Sequence, residues 1–323
     1  MNIIQWGIIG CGDVTEHKSG PAFNKVANSR LVAVMRRDGA KAADYARRHG
    51  VPKFYSDAQQ LINDPEVNAI YIATPPSSHA EYALAAIAAG KPVYVEKPMA
   101  LNYTAALSMK VAAEDNNVKL VVAHYRQAQE FFVEIKSLLD SGRIGTVREV
   151  SLLFERPPLD KIALQDAKKA WRVDPAISGG GLFHDMAPHQ LGLMCYFFGR
   201  VKSAAGHTDA SSHVYAAADR VEGNINFENG VIFNGRWNFN ASVENDQCII
   251  KGTEGIISFP IFGEHVLQII DSKTAHIEFT IPQHVQQPMI AATVQYFLGE
   301  GPNPCDAAAG CEVMRLMELM TTD

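Results

Sequence analysis

The chain has 323 residues, 47% hydrophobic and 20% charged, which suits a soluble globular protein long enough for two domains with substantial cores. A net charge of −6 without any block of basic residues leaves no electrostatic footprint for nucleic acid, and no apolar run approaches a membrane span. Five scattered cysteines (11, 195, 248, 305 and 311) form no Cys-x-x-Cys pair, and no positively charged leader precedes the first strand, so a cytoplasmic protein with reduced thiols is expected.

Residues 1–122 alternate strand and helix signals, the pattern of a parallel sheet with crossover helices. Candidate strands cover 4–9, 31–35, 69–73, 92–96 and 120–123, and candidate helices cover 40–49, 58–63, 79–89 and 104–116. Each strand ends near a residue that could face a ligand: Gly10, Arg36, Thr74, Lys97 and Tyr125. In open α/β sheets, ligands bind in the crevice outside the carboxyl ends of the strands.

The first strand runs into Gly10-Cys11-Gly12-Asp13-Val14-Thr15 and then a helix. Gly10 permits a tight turn, and Gly12 lets the backbone approach a pyrophosphate seated on the helix N-terminus, which makes Asp13 and Val14 candidate contacts too. Thr15 takes the third glycine position, so the match is imperfect. The second strand of NAD binders supplies an acidic residue for the ribose 2′-hydroxyl. Here Val34-Met35-Arg36-Arg37 puts Asp38 two or three positions too late. A guanidinium can hold a 2′-phosphate in a bidentate pair, so NADP is expected over NAD, with Arg36 the clamp and Arg37 a candidate to stack on adenine. The alternative is a solvated basic turn, since Arg47 and Arg48 lie nearby.

About 85 residues after that turn, Val93-Tyr94-Val95-Glu96-Lys97-Pro98 reads as a short buried strand with a lysine at its end. Pro98 confines Lys97 to extended or turn conformations and aims its ammonium at whatever the glycine turn holds. A dinucleotide turn with a strand-end lysine suggests a nicotinamide enzyme with lysine-assisted proton transfer.

From 123 to 323 the pattern changes. A helix over 129–141 and a strand over 147–155 precede a long loop, 156–180, that carries Trp171-Arg172. A helix over 183–198 leads to strands at 201–210, 221–227, 231–239, 247–252, 256–259, 266–270 and 276–280, and a helix over 306–320 closes the chain. Glu228-Asn229-Gly230 is a hairpin signal, and such successive strands predict a largely antiparallel sheet covered on one face by helices. Ser178-Gly179-Gly180-Gly181 leads into His184, Asp185 and His189, the glycines allowing close approach by a ligand or another backbone. Asp185 and His189 are four apart and share a helix face, with His184 about 100° around from Asp185. A histidine steered by a carboxylate is a sensible general acid/base. The spacing fits no metal motif, so no metal is expected; a packing role for His189 is the alternative.

The series Gly10-Cys11-Gly12, Ala73-Thr74-Pro75-Pro76 with His79, Glu96-Lys97-Pro98, Trp171-Arg172, Gly179-Gly180-Gly181 and Asp185 with His189 resembles the Gfo/Idh/MocA oxidoreductases. The resemblance runs motif by motif from residue 3 to about 200, and Glu96-Lys97-Pro98 is its most specific piece. It implies an α/β protein: a Rossmann domain over 1–122, and over 123–323 an α/β domain with an open, mostly antiparallel sheet for substrate binding and association into a homodimer or homotetramer. It implies that Lys97 meets the reacting oxygen, that His189 gives or takes the proton, and that Asp185 binds substrate or orients His189. Thr74, Pro75, His79 and the Glu96-Lys97 step would line the cofactor; Tyr125, Arg126, Trp171 and Arg172 would face the substrate. Ser77 stands where many relatives have Asn, and Arg36 replaces the acidic residue of NAD-preferring members. The activity so implied is NADP(H)-dependent hydride transfer at a secondary alcohol or carbonyl of a small molecule: a sugar, cyclitol or dihydrodiol. A non-catalytic NADP or sugar sensor and a nicotinamide-dependent glycosidase are the alternatives.

Overall fold

The computed structural model describes residues 2–166, 170–210 and 215–321. Packing divides it into one unit of Met1–Ala128 with Pro282–Met314 and another of Gln129–Ile281 with Arg315–Asp323. Residues 167–169 of the expected 156–180 loop lie outside the described residues.

The first unit is built on a parallel sheet of β1 (Ile4–Ile9), β2 (Ser29–Met35), β3 (Lys53–Tyr55), β4 (Ala69–Ile72), β5 (Val93–Val95) and β6 (Leu120–Val122), in the order β3-β2-β1-β4-β5-β6. β1, β4, β5 and β6 are almost wholly buried, as expected of strands covered on both faces. The crossover helices α1 (Asp13–His17), α2 (Gly39–His49), α3 (Ala58–Asn63), α4 (His79–Ala88) and α5 (Tyr103–Asp115) follow local signals. Asp38, Asp57 and Asn102 cap α2, α3 and α5 by accepting backbone N–H groups three residues on, and Gly50 closes α2 in the left-handed region. Trp6, Phe23, Tyr71, Tyr94 and Phe297 stack and tilt against one another in the core.

A strand and a helix of this unit were not expected. β3 is a three-residue edge strand, too short for an alternating pattern. The Gln287–Leu298 helix belongs to the segment that returns after the second sheet, tied in where Val122 N–H donates to the Cys305 carbonyl and Lys119 Nζ to that of Tyr296.

The second unit holds α6 (Glu130–Asp140) and an eight-stranded sheet of β7 (Val147–Glu155), β8 (Val201–Asp209), β9 (Arg220–Phe227), β10 (Ile232–Asn238), β11 (Asn245–Gly252), β12 (Ile256–Phe259), β13 (Val266–Ile270) and β14 (Thr274–Glu278). The order is β14-β13-β12-β11-β7-β10-β9-β8, antiparallel throughout except at β7 and β10, so the sheet is mostly antiparallel, as expected, with one parallel pair at its centre. The expected hairpin joins β9 to β10, with Gly230 at φ +86. β9 and β10 alternate buried and exposed positions, so one sheet face is packed and the other open. β14 begins two residues before the expected strand.

Candidate active site

In the first unit the parallel order brings the carboxyl ends of β1, β2, β4 and β5 to one edge of the sheet. Gly10 leaves β1 at φ +94, where a Cβ would strike Thr74 Cγ2 at 2.7 Å and the Thr74 nitrogen at 2.8 Å, so only glycine lets the two strand ends approach. Gly12 differs: a Cβ there would meet nothing nearer than the Gly10 carbonyl at 3.9 Å. The backbone at Gly12 therefore presents an uncovered surface, which is the form a pyrophosphate cradle requires. Asp13 and Val14 begin α1, which is only five residues long, with Asp13 exposed. Thr15, at the third glycine position, turns inward and donates to the Gly12 carbonyl at 2.8 Å; close packing there falls instead to Gly20, whose Cβ would meet the Thr15 carbonyl at 2.2 Å.

At the end of β2, Arg36 is half-buried and its charge is felt by Cys11 in the glycine turn, where burial nonetheless pushes the thiol up to about 11. Asp38 is engaged as the α2 cap, accepting the Lys41 N–H at 3.1 Å. Arg48 donates to both Glu16 oxygens at 2.7 and 2.8 Å and to Asp44, and Arg47 also pairs with Asp44. The nearby basic residues are thus internally neutralised, whereas Arg36 and Arg37 have no ion pair among the described residues.

β5 runs straight into Glu96 and Lys97, followed by a cis peptide to Pro98. Glu96 is 6% exposed; its Oε1 accepts from the Tyr71 hydroxyl and from Gln286 Nε2, both at 2.6 Å, and its Oε2 accepts the Lys97 N–H at 3.2 Å. Lys97 itself is half-buried. His79 has no exposed surface, and its ring nitrogens face the Thr74 carbonyl at 2.7 Å and the Pro98 carbonyl at 2.9 Å. It ties the loops after β4 and β5 together rather than presenting a ring to solvent. Burial lowers its pKa, so the neutral ring donates from one nitrogen at a time. Tyr125 is buried at the end of β6, with the Arg126 guanidinium 5.5 Å from its ring centroid.

In the second unit the Gly181–Phe198 helix carries His184, Asp185 and His189. Arg172 Nε donates to Asp185 Oδ2 at 3.0 Å, and the same guanidinium lies 4.7 Å from the Trp171 ring centroid, so Trp171, Arg172 and Asp185 form one cluster. His189 lies on the Asp185 face of the helix, buried, edge-on to Phe262 at 5.5 Å. His184 is held down to about 4 by burial, which leaves it neutral at working pH. The preceding glycines serve the chain itself: Gly179 is left-handed at φ +94, a Cβ on Gly180 would strike the His184 ring at 2.1 Å, and one on Gly181 would strike Ala217 at 2.5 Å. The nearest neighbours of Gly180 and Gly181 are side chains, not the other backbone that the sequence suggested.

Residues 4–124 match the family described as "Oxidoreductase family, NAD-binding Rossmann fold", and residues 132–258 match the "GFO/IDH/MocA C-terminal domain". The chain belongs to the Gfo/Idh/MocA oxidoreductases. Oxidoreductase P35 of Formosa agariphila is 45% identical over 316 residues, spanning 98% of both chains. Levoglucosan dehydrogenase of Pseudarthrobacter phenanthrenivorans is 30% identical over 254 residues, 71% of this chain and 64% of the relative. A solved levoglucosan dehydrogenase, in complex with NADH and levoglucosan, superposes with a TM-score of 0.85 at 22% identity over 98% of this chain and 96% of its own, which speaks to the fold alone.

As a member of this family, the protein is an oxidoreductase with an NAD-binding Rossmann domain. One residue of its first unit had no motif to announce it: Gln286, whose bond to Glu96 spans 190 positions of sequence. Among the described residues, no three His, Cys, Asp or Glu side chains converge as a metal site, and no helix is long and apolar enough to cross a membrane.

Proposed function

We propose that this oxidoreductase uses NADP(H) and transfers hydride between the nicotinamide and a secondary alcohol or carbonyl of a sugar, cyclitol or dihydrodiol. The observation that carries the reading is the carboxyl edge of the parallel sheet, where the Gly10–Gly12 turn, Arg36, Thr74 and Lys97 close neighbouring strands. Preference for NADP is supported by Asp38 serving as a helix cap while Arg36 has no ion pair among the described residues. Levoglucosan, in the name of one relative, supports a sugar-like substrate.

Gly10, Gly12, Asp13, Val14, Thr74 and Pro75 hold the dinucleotide, Arg36 its 2′-phosphate, and Arg37 stacks on the adenine. The nicotinamide, when bound, supplies the hydride chemistry. Lys97 holds the substrate oxygen and offsets negative charge that develops there, an effect that strengthens where water is scarce. His189 takes or gives the hydroxyl proton. Asp185, fixed by Arg172, binds substrate or orients His189. Tyr125, Arg126, Trp171 and Arg172 shape the substrate pocket, and His79 acts by setting the loops after β4 and β5. The open face of the eight-stranded sheet is the proposed surface for a homodimer or homotetramer, and the five unbridged thiols support a cytoplasmic location.

The test is NADP⁺ reduction, followed by absorbance across aldoses, cyclitols and trans-dihydrodiols, with NAD⁺ alongside. A substrate-dependent rise that is faster with NADP⁺ supports the reading; NADPH binding with no turnover on the panel favours a sensor or a glycosidase.

A further inference from the structure

Gln286 is 1% exposed and immediately precedes the Gln287–Leu298 helix. Its Nε2 donates to Glu96 Oε1 at 2.6 Å, and its Oε1 accepts from the Tyr94 hydroxyl at 3.1 Å. The Glu96 carboxylate decides the orientation of the amide, because turning it over would set two acceptor oxygens 2.6 Å apart; the Tyr94 hydroxyl then donates to the amide oxygen. The same carboxylate oxygen takes the Tyr71 hydroxyl at 2.6 Å, while the other takes the Lys97 N–H at 3.2 Å. A buried carboxylate is stable only when its lone pairs are met, and here two neutral side-chain donors meet one oxygen so that the other is directed at Lys97. The titratable groups around it are Tyr71, Tyr94 and His79; burial raises both phenols well above their ordinary range, so they remain donors at working pH.

We propose that Gln286 is a positioning residue for Lys97, acting through Glu96: it pins one carboxylate oxygen so that the other fixes the backbone from which the lysine projects. Its bearing on turnover rests on the reading of Lys97 as a catalytic residue. Sequence proximity carries no part of this coupling, since Gln286 arrives from a segment that follows the second sheet.

The experiment compares wild type with Gln286→Met, which keeps length and removes the donor, and with Gln286→Glu. In the unliganded protein, trace acetylation with acetic anhydride is read by mass spectrometry as the rate at Lys97 relative to the other lysines. The ratio is expected to shift about threefold or more in Gln286→Met, and turnover to fall roughly tenfold with the cofactor KM little changed. In Gln286→Glu, two carboxyls would share one proton at low pH and restore the bond, then repel at high pH. Its turnover relative to wild type should therefore rise as pH falls, a limb that lost packing alone does not produce. Should Gln286→Met fail to fold, Tyr71→Phe removes the other donor to the same oxygen and is expected to shift Lys97 acetylation too. An unchanged Lys97 ratio in a natively folded variant, or a Gln286→Glu deficit independent of pH, overturns the proposal. A shifted ratio alongside a fully active Lys97→Ala upholds the positioning by Gln286 and removes the catalytic reading of Lys97 instead.

Discussion

The Asp38 carboxylate accepts the Lys41 backbone N–H at 3.1 Å and lies 3.2 Å from the Lys41 ammonium. The acid nearest the end of β2 is thus occupied in starting α2, and Arg36 is the side chain left at the strand end. Arg36→Asp should therefore weaken NADP⁺ binding by about 10- to 100-fold, the value of one to two charge-assisted hydrogen bonds, and improve NAD⁺ binding. Fluorescence titration with both dinucleotides reads the ratio. An unchanged ratio would remove Arg36 from cofactor selection.

Two glycine substitutions separate fold from site. Gly12→Ala should leave stability within about 0.5 kcal/mol, because its Cβ enters open space, yet lower dinucleotide affinity roughly tenfold. Gly206→Ala should do the reverse: its Cβ would lie 2.6 Å from the Glu222 carbonyl and 2.8 Å from Met320 Cα, a clash worth about 1–3 kcal/mol. Urea unfolding and cofactor titration on the same samples decide both.

Arg172 and Asp185 form a half-buried pair at 3.0 Å. Removing the guanidinium in Arg172→Met takes away the Nε–H bond to Asp185 and should lower kcat/KM about 10- to 100-fold with cofactor affinity intact. A matching loss of cofactor affinity would instead indicate a general change in the fold.

Glu16 is held at about 2, well below its ordinary value near 4.5, chiefly by hydrogen bonding from Arg48 and further by His49. A depressed folded-state pKa stabilises above the unfolded value and is lost as pH falls through the folded one. The pair is partly exposed, so its contribution is small. Glu16→Gln should melt slightly below wild type at pH 6 to 7 and converge with it as pH drops from about 4.5 toward 2. A constant gap across that window would contradict the assignment.

Local signals made most of the first unit legible. Its strands are short apolar runs between glycines and caps, and Asp38, Asp57 and Asn102 mark helix starts in the sequence itself. β3 was not, because three residues at a sheet edge carry no periodicity. The Gln287–Leu298 helix carries boundary signals in the sequence, Pro288 near its start and Gly299 at its end. Gln286 is different in kind: one neutral amide of the Gln286-Gln287 pair shows nothing until the fold sets it against Glu96. The glycines at 179–181 were visible as a departure from ordinary backbone, but only packing against His184 and Ala217 explains two of them. The parallel β7–β10 pair likewise follows from topology rather than from any feature of either strand.

The central claim is that Lys97, at the end of β5, acts on the substrate oxygen. The most direct measurement is NADP⁺ reduction by wild type and Lys97→Ala on the best substrate of the panel, with NADPH affinity titrated in parallel. The expected result is a fall in turnover of roughly 10²-fold or more with NADPH affinity nearly intact, because the lysine contributes to the reacting oxygen and little to the dinucleotide. Unchanged turnover in that variant would contradict the account.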